Sequence, residues 1–178
     1  MHQQILDFWF DQLKPAMWWK KDAQLDQLIE QRFGELHRQA ARGELWEWRA
    51  TPEGRLAEII LLDQFSRNIH RDQPDAFAHD GMALVLAQEA IAAGADLALP
   101  VIQRSFLYMP FMHSESLVVH ERAVVLFDTP GMESSLDFEL QHRDILRRFG
   151  RYPHRNRVLG RASTEEELQF LTQPGSSF

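Results

Sequence analysis

TPEGRLAEIILLDQFSRNI, residues Thr51 to Ile69, is the stretch that decides the fold. Thr51 can cap a helix whose first position is Pro52, where a missing N–H is harmless and the fixed φ already suits a helix. Along that helix Leu56, Ile59 and Ile60 form one stripe. Ile59, Leu62 and Phe65 nearly close the circle, so the helix is apolar on most sides and belongs in the middle of a protein. Continuing the stripe from Ile60 reaches Asp63, Gln64 and Arg67, so a buried face turns polar. Asp63 and Arg67 stand four apart and can pair on one face. Buried charges must be paired or face a cavity or ligand. Two readings stay open: an internal salt bridge tying helices together, or the wall of a pocket.

The flanking sequence is also helical. Ile5 to Leu13 is a short amphipathic segment that Pro15 ends. Asp22 caps a helix in which Leu25, Leu28, Ile29, Phe33 and Leu36 recur at helical spacing, with Gly43 as the stop. A loop carries Trp46 and Trp48. Pro74 opens a helix that runs to Gly94. Pro100 opens another, which Pro110 breaks or kinks. Ser114 caps the next helix. Gly150 stops the one after, and Ser163 with Glu166 has capping-box spacing for the last. No segment alternates with β-branched enrichment as a strand would. These features predict an all-α protein of about eight helices packed as antiparallel hairpins. They give one domain over residues 1–172 and a frayed tail over 173–178.

With 178 residues and no cysteine, the chain needs no disulfide to fold and has no thiolate chemistry. The start, MHQQILDFWFDQLKP, lacks the pattern of a signal peptide, and no apolar run approaches the ~20 residues of a membrane helix. A cytoplasmic protein without membrane contact is expected. The net charge is −7, which argues against nucleic-acid binding by the whole surface.

Positive charge is nevertheless concentrated. From His142 to Arg161 there are seven arginines and one acid, Asp144, and no lysine follows Lys21. Arginine is favoured over lysine where a planar fork must meet carboxylates or phosphates in fixed geometry. Some of these arginines are expected to pair with the acid-rich helices. The rest, with His154 and Asn156, read as an anion-binding wall. Two further polar clusters interrupt apolar sequence. His113, Ser114 and Glu115 follow FLYMPFM, and His142 lies on the stripe of Phe138, Ile145 and Phe149.

LLDQFSRNIHRD, FLYMPFMHSES, HRDILRRFGRYPHRN and LGRASTEEELQFL together resemble bacterial domain-of-unknown-function family 924, along nearly the whole chain. The resemblance implies a tetratricopeptide-repeat-like stack of helical hairpins, although the residues show no repeat period. Its motif residues fall on Asp63, Gln64, Arg67, Asn68, His113, Ser114, Glu115, His142, Arg143, Arg151, His154, Arg155 and Asn156. Ser66 stands where the family has Pro, His70 where it has Tyr or Phe, and His120 where Gln is common, so no catalytic role is given to His120.

One functional reading has these residues converge on a cleft for a small anionic molecule. There Asp63, Gln64, Arg67, Asn68, Arg143, Arg151, His154, Arg155 and Asn156 would bind, and His113, Glu115 or His142 would move protons. The other is an interaction module whose concave face takes an acidic peptide. His113, Glu115, His142 and His154 could ligate a metal, but none has diagnostic spacing, so no metal and no cofactor is assigned.

Overall fold

A computed structural model describes residues 1–178 as an all-α chain. Helix α1, His2–Leu6, continues as a wider π turn over Asp7–Gln12, and α2 is Pro15–Trp18. Helix α3, Ala23–Ala41, is capped by Asp22, whose carboxylate accepts from the N–H groups of Gln24 and Leu25 at 3.0 and 3.3 Å. Helix α4, Pro52–Ile60, is capped by Thr51 Oγ1, which accepts from the Gly54 N–H at 3.1 Å. A π turn, Leu61–Phe65, carries α4 into α5, Ser66–Ile69. All residues from Leu56 to Ser66 are buried. The rod packs against α1, α3, α6 and α7, which is the central position its sequence predicts.

The remaining helices are α6, Asp80–Ala92; α7, Val101–His113; α8, Leu117–Phe127; α9, Glu133–Phe149; and α10, Glu165–Leu171. The pairs α6–α7, α7–α8 and α8–α9 pack together through short connections, so successive helices form antiparallel hairpins. The main core has an aromatic centre in which the rings of Phe8, Trp9, Phe33, Phe65 and Phe106 touch. A smaller core of Ile145, Leu146 and Tyr152 lies at the end of α9.

Several local expectations need correction. Trp46 and Trp48 sit in a 3₁₀ turn, Trp46–Ala50. Pro74 opens a 3₁₀ turn only, and α6 begins at Asp80. Helix α7 runs through Pro110 to His113. Ser114 lies outside α8, with its Oγ accepting from the Ser116 N–H at 3.2 Å. Phe138 is exposed, so the inward stripe of α9 is His142, Ile145 and Leu146. The capping box is Thr164 with Glu167, one residue later than expected. The last six residues fold back: Ser176 Oγ donates to the Leu171 carbonyl at 3.2 Å, and the Phe178 ring centre is 3.6 Å from that of His142.

Gly54 shows how closely the central rod is approached. A Cβ there would lie 2.0 Å from the Trp48 carbonyl oxygen, a backbone atom that has no rotamer to move. Gly54→Ala is expected to cost about 1–3 kcal/mol or more. A urea melt checks this, with Gly81→Ala as the comparison, because nothing lies within 4 Å of a Cβ at Gly81.

Candidate functional site

The polar end of the central rod meets the end of α7. Asp63, completely buried in the π turn, accepts from His113 Nδ1 at 2.6 Å through Oδ1 and from Gln64 Nε2 at 2.6 Å through Oδ2. Arg67 Nη1 lies 3.3 Å from Asp63 Oδ1 and donates to the Asp63 carbonyl at 2.9 Å. The same guanidinium holds Asp80, at the start of α6, by two hydrogen bonds of 2.9 and 3.0 Å. Arg155, from the 3₁₀ turn Pro153–Arg155, donates Nη2 to the His113 carbonyl at 3.0 Å and places Nη1 3.5 Å from Asp80. Its guanidinium lies over Phe77 at 4.6 Å and over Tyr152 at 4.7 Å.

A cavity of about 330 Å³ opens onto this cluster. Its polar wall is Asp80, His113, Ser114, Glu115 and Arg155, and Phe77, Leu84, Pro110 and Leu159 are among its apolar neighbours. Glu115 is already engaged: it accepts the Tyr152 N–H at 2.7 Å and a two-pronged contact from Arg161 at 2.7 and 2.9 Å.

Burial acts to raise the Asp63 pKa, but the charges of His113 and Arg67 and the hydrogen bonds it accepts outweigh burial and hold it far below the usual carboxylate range. Burial and the Arg67 charge push His113 down, against the pull of Asp63. At neutral pH this gives a carboxylate beside a neutral imidazole. The proton then sits on Nδ1, facing Asp63, and the lone pair sits on Nε2. His113 Nε2 makes no hydrogen bond to protein and is not sealed from solvent. Arg155 is lowered to about 10, chiefly by burial and then by Arg67, and so stays charged at pH 7.

Of the sequence-predicted set, Asp63, Gln64, Arg67, His113, Glu115 and Arg155 join in this centre. The others are placed elsewhere. Asn68 donates to Asp26 of α3 at 2.8 Å, beside Arg71. Arg151 holds Glu167 through 2.7 and 2.8 Å bonds. Asn156, fully buried, ties the loop to Ser163, Glu167 and Arg161. His142 donates Nδ1–H to the Phe138 carbonyl at 2.6 Å, inside its own helix. His154 packs against Tyr152 and Phe178, and Arg143 makes no ion pair and leaves its buried Nε without a partner. None of these six lines the cavity.

Sequence reasoning missed Asp80, Tyr152, Arg161 and the pair His120–Glu139. His120 Nε2 donates to the Ser114 carbonyl at 2.8 Å, and its Nδ1 lies 2.6 Å from Glu139 Oε1. A carbonyl can only accept, so Nε2 carries a proton and a second proton is held between Nδ1 and Glu139. Tyr152 OH, 3.1 Å from the same Nε2, donates to the Met112 carbonyl at 2.6 Å. These groups fix the backbone around His113 and Ser114 from behind. The stripe of α9 could have exposed Glu139, which lies three residues before His142. Asp80 carried no signal at all.

No group of three or more His, Asp or Glu residues is arranged to hold a metal ion. No helix is long and apolar enough to cross a membrane. Among curated proteins none matches the chain. A solved structure of a protein of unknown function, ATU0120 from Agrobacterium tumefaciens, is similar over 96% of both chains, with 42% identity and a TM-score of 0.91. The family model described as a bacterial protein of unknown function, DUF924, matches residues 5–175. With that match spanning almost every element that builds the cavity, the chain belongs to the DUF924 family of bacterial proteins.

Proposed function

We propose that the cavity binds a small molecule carrying a carboxylate or phosphate, and that His113, oriented by Asp63, acts on it as a general base. The 2.6 Å contact between Asp63 Oδ1 and His113 Nδ1 carries this reading. It commits one ring nitrogen to the carboxylate and leaves the other, with its lone pair, free of protein partners on a residue that lines the cavity. Arg155 supplies the cation. It shares Asp80 with Arg67, its own contact to that carboxylate is 3.5 Å, and its buried Nε has no partner. Its charge is therefore less fully answered than that of Arg151 or Arg161. The peptide-binding alternative has less behind it. The guanidiniums that would meet an acidic chain, Arg148, Arg151 and Arg161, already hold Glu166, Glu167 and Glu115.

Acetate, inorganic phosphate and a panel of small carboxylates and phosphate monoesters test the reading. A compound at about 100 times its Kd adds about 2.7 kcal/mol to stability. In a ¹⁵N-histidine NMR spectrum the same compound should move the Nε2 signal of His113 while Nδ1 stays protonated. Arg155→Lys should weaken that response by at least about tenfold, because the planar group that spans Asp80 and the His113 carbonyl is lost while charge is kept. Silence of His113 toward the whole panel, or an Nδ1 found unprotonated at pH 7, overturns the proposal.

A further inference from the structure

His142 and His154 belong to the arginine- and histidine-rich region of the sequence, yet the cavity uses neither. They meet each other's neighbourhood at Tyr152. The Tyr152 ring centre is 5.8 Å from His142 and 5.7 Å from His154. Into this three-ring cage the structure inserts Phe178, at 3.6 Å from His142, 4.5 Å from His154 and 5.3 Å from Tyr152. Its ring is nearly perpendicular to Tyr152, at 87°, the edge-to-face arrangement that aromatic quadrupoles favour.

Cage and occupant are held very differently. Tyr152 is fully buried and anchored at both ends, by its N–H on Glu115 at 2.7 Å and its hydroxyl on the Met112 carbonyl at 2.6 Å. His142 is anchored by its 2.6 Å bond to the Phe138 carbonyl, and Pro153 stiffens the turn that carries His154. Phe178 remains 53% exposed. Beyond Gln173, whose N–H donates to the Phe170 carbonyl at 3.0 Å, the segment leading to it is tied by the buried Ser176, through contacts of 3.2 and 3.4 Å. A rigid cage with a loosely tethered ring in it is built for exchange.

The occupant is also chemically incomplete. His154 Nδ1 is buried without a hydrogen-bond partner. His142 has committed Nδ1–H to a carbonyl, so its Nε2 lone pair is left, and no protein donor meets it. A phenyl ring can serve neither nitrogen: the buried His154 Nδ1 goes unpaired and His142 Nε2, which is not sealed from solvent, is left to water, so a ligand that pairs them is favoured. We propose that the cage of His142, Tyr152 and His154 is a binding site for a planar aromatic ring bearing an N–H or O–H donor, with Phe178 as its displaceable stand-in. This site is separate from the cavity at His113, and nothing in it depends on that cavity's ligand.

Indole, uncharged and carrying one N–H donor, is the probe, with toluene as the donor-free comparison. Calorimetry should show Phe178→Ala binding indole at least about tenfold more tightly than the unaltered protein, because the competing ring is gone. Toluene should bind Phe178→Ala about tenfold more weakly than indole. In the unaltered protein, indole should release the backbone amide signals of Ser176 to Phe178 toward unstructured positions and shift the His142 ring signals. Equal indole affinity with and without Phe178, no binding to Phe178→Ala up to the solubility of indole, or toluene matching indole overturns the proposal. Should the variant fold poorly, the amide signals of the unaltered protein still decide: signals of Ser176 to Phe178 that stay in place at saturating indole overturn it equally.

Discussion

Asp63→Ala is expected to destabilise the protein by about 3–5 kcal/mol, because it removes from a buried network the carboxylate shared by His113, Gln64 and Arg67 and leaves Arg67 with Asp80 alone. For a chain of this length that corresponds to a fall in Tm of roughly 6–20 °C. Asp63 is completely buried, and four groups lean on it: His113 Nδ1, Gln64 Nε2, the Arg67 guanidinium and, through Arg67, Asp80. Removing the carboxylate also frees His113 to exchange tautomers, so the His113 response to cavity ligands should vanish with the stability. Glu35→Ala breaks an ion pair with Arg38 whose side chains are 60% and 61% exposed, and it should leave Tm unchanged. A Tm for Asp63→Ala equal to that of Glu35→Ala would show that the network carries no stability.

The second large effect is acid unfolding. Besides His113, three imidazoles are buried in the neutral form. His37 is pushed down to about 4, first by burial and then by the charges of His70 and His79, whose rings lie 5.4 and 5.6 Å away. His142 and His154 are each pushed down to about 3, first by burial. In the unfolded chain each returns to an ordinary value near 6.5. Between about pH 6.5 and pH 4 the unfolded state therefore binds up to three more protons than the folded state, and stability falls as pH falls. Near pH 5 the slope should reach about 4 kcal/mol per pH unit from these three groups. The buried or half-buried carboxylates with lowered pKa, Asp63, Glu115 and Glu167, act the same way at lower pH: their contribution is full above the unfolded carboxylate pKa and is lost as pH falls through the folded one, which for Glu167 is about 2. Urea midpoints at pH 7, 6 and 5 check the slope. His142→Asn, which cannot take up a proton, should remove about a third of the share that these three groups contribute. A midpoint constant from pH 7 to 5 would mean that these imidazoles titrate alike in both states.

Much of the helical framework is legible because its signals are local. Asp22 and Thr51 cap the helices that their positions predict, and Gly150 takes the left-handed φ of +70° that ends α9. The fully apolar stretch around Ile59 is buried because no other place in a helical protein suits it. Where two local choices are equivalent, packing decides. The run Ser163–Thr164–Glu165–Glu166–Glu167 offers two overlapping capping boxes. The second forms because Glu167 is also claimed by Arg151 and Asn156. The helix expected from Pro74 starts late because Phe77 is drawn under the guanidiniums of Arg67 and Arg155.

Burial of a polar face, the need for a partner at Asp63 and the presence of a basic turn after Gly150 are written in residue types and spacing, since each follows from the chemistry of a few neighbouring side chains. The partners are not. Asp63 and His113 are 50 positions apart, Glu115 and Arg161 are 46, and Arg67 and Asp80 are 13. Seven arginines of identical chemistry could be shared among the acids in many ways, and only the packing of α10 and the turn after α9 against the end of α7 brings the Arg151 and Arg161 forks within 3 Å of Glu167 and Glu115. Charge pairing falls off over a few ångströms, so which arginine faces the cavity and which is consumed as a tie is settled by tertiary distance, a quantity that no single stretch of sequence contains.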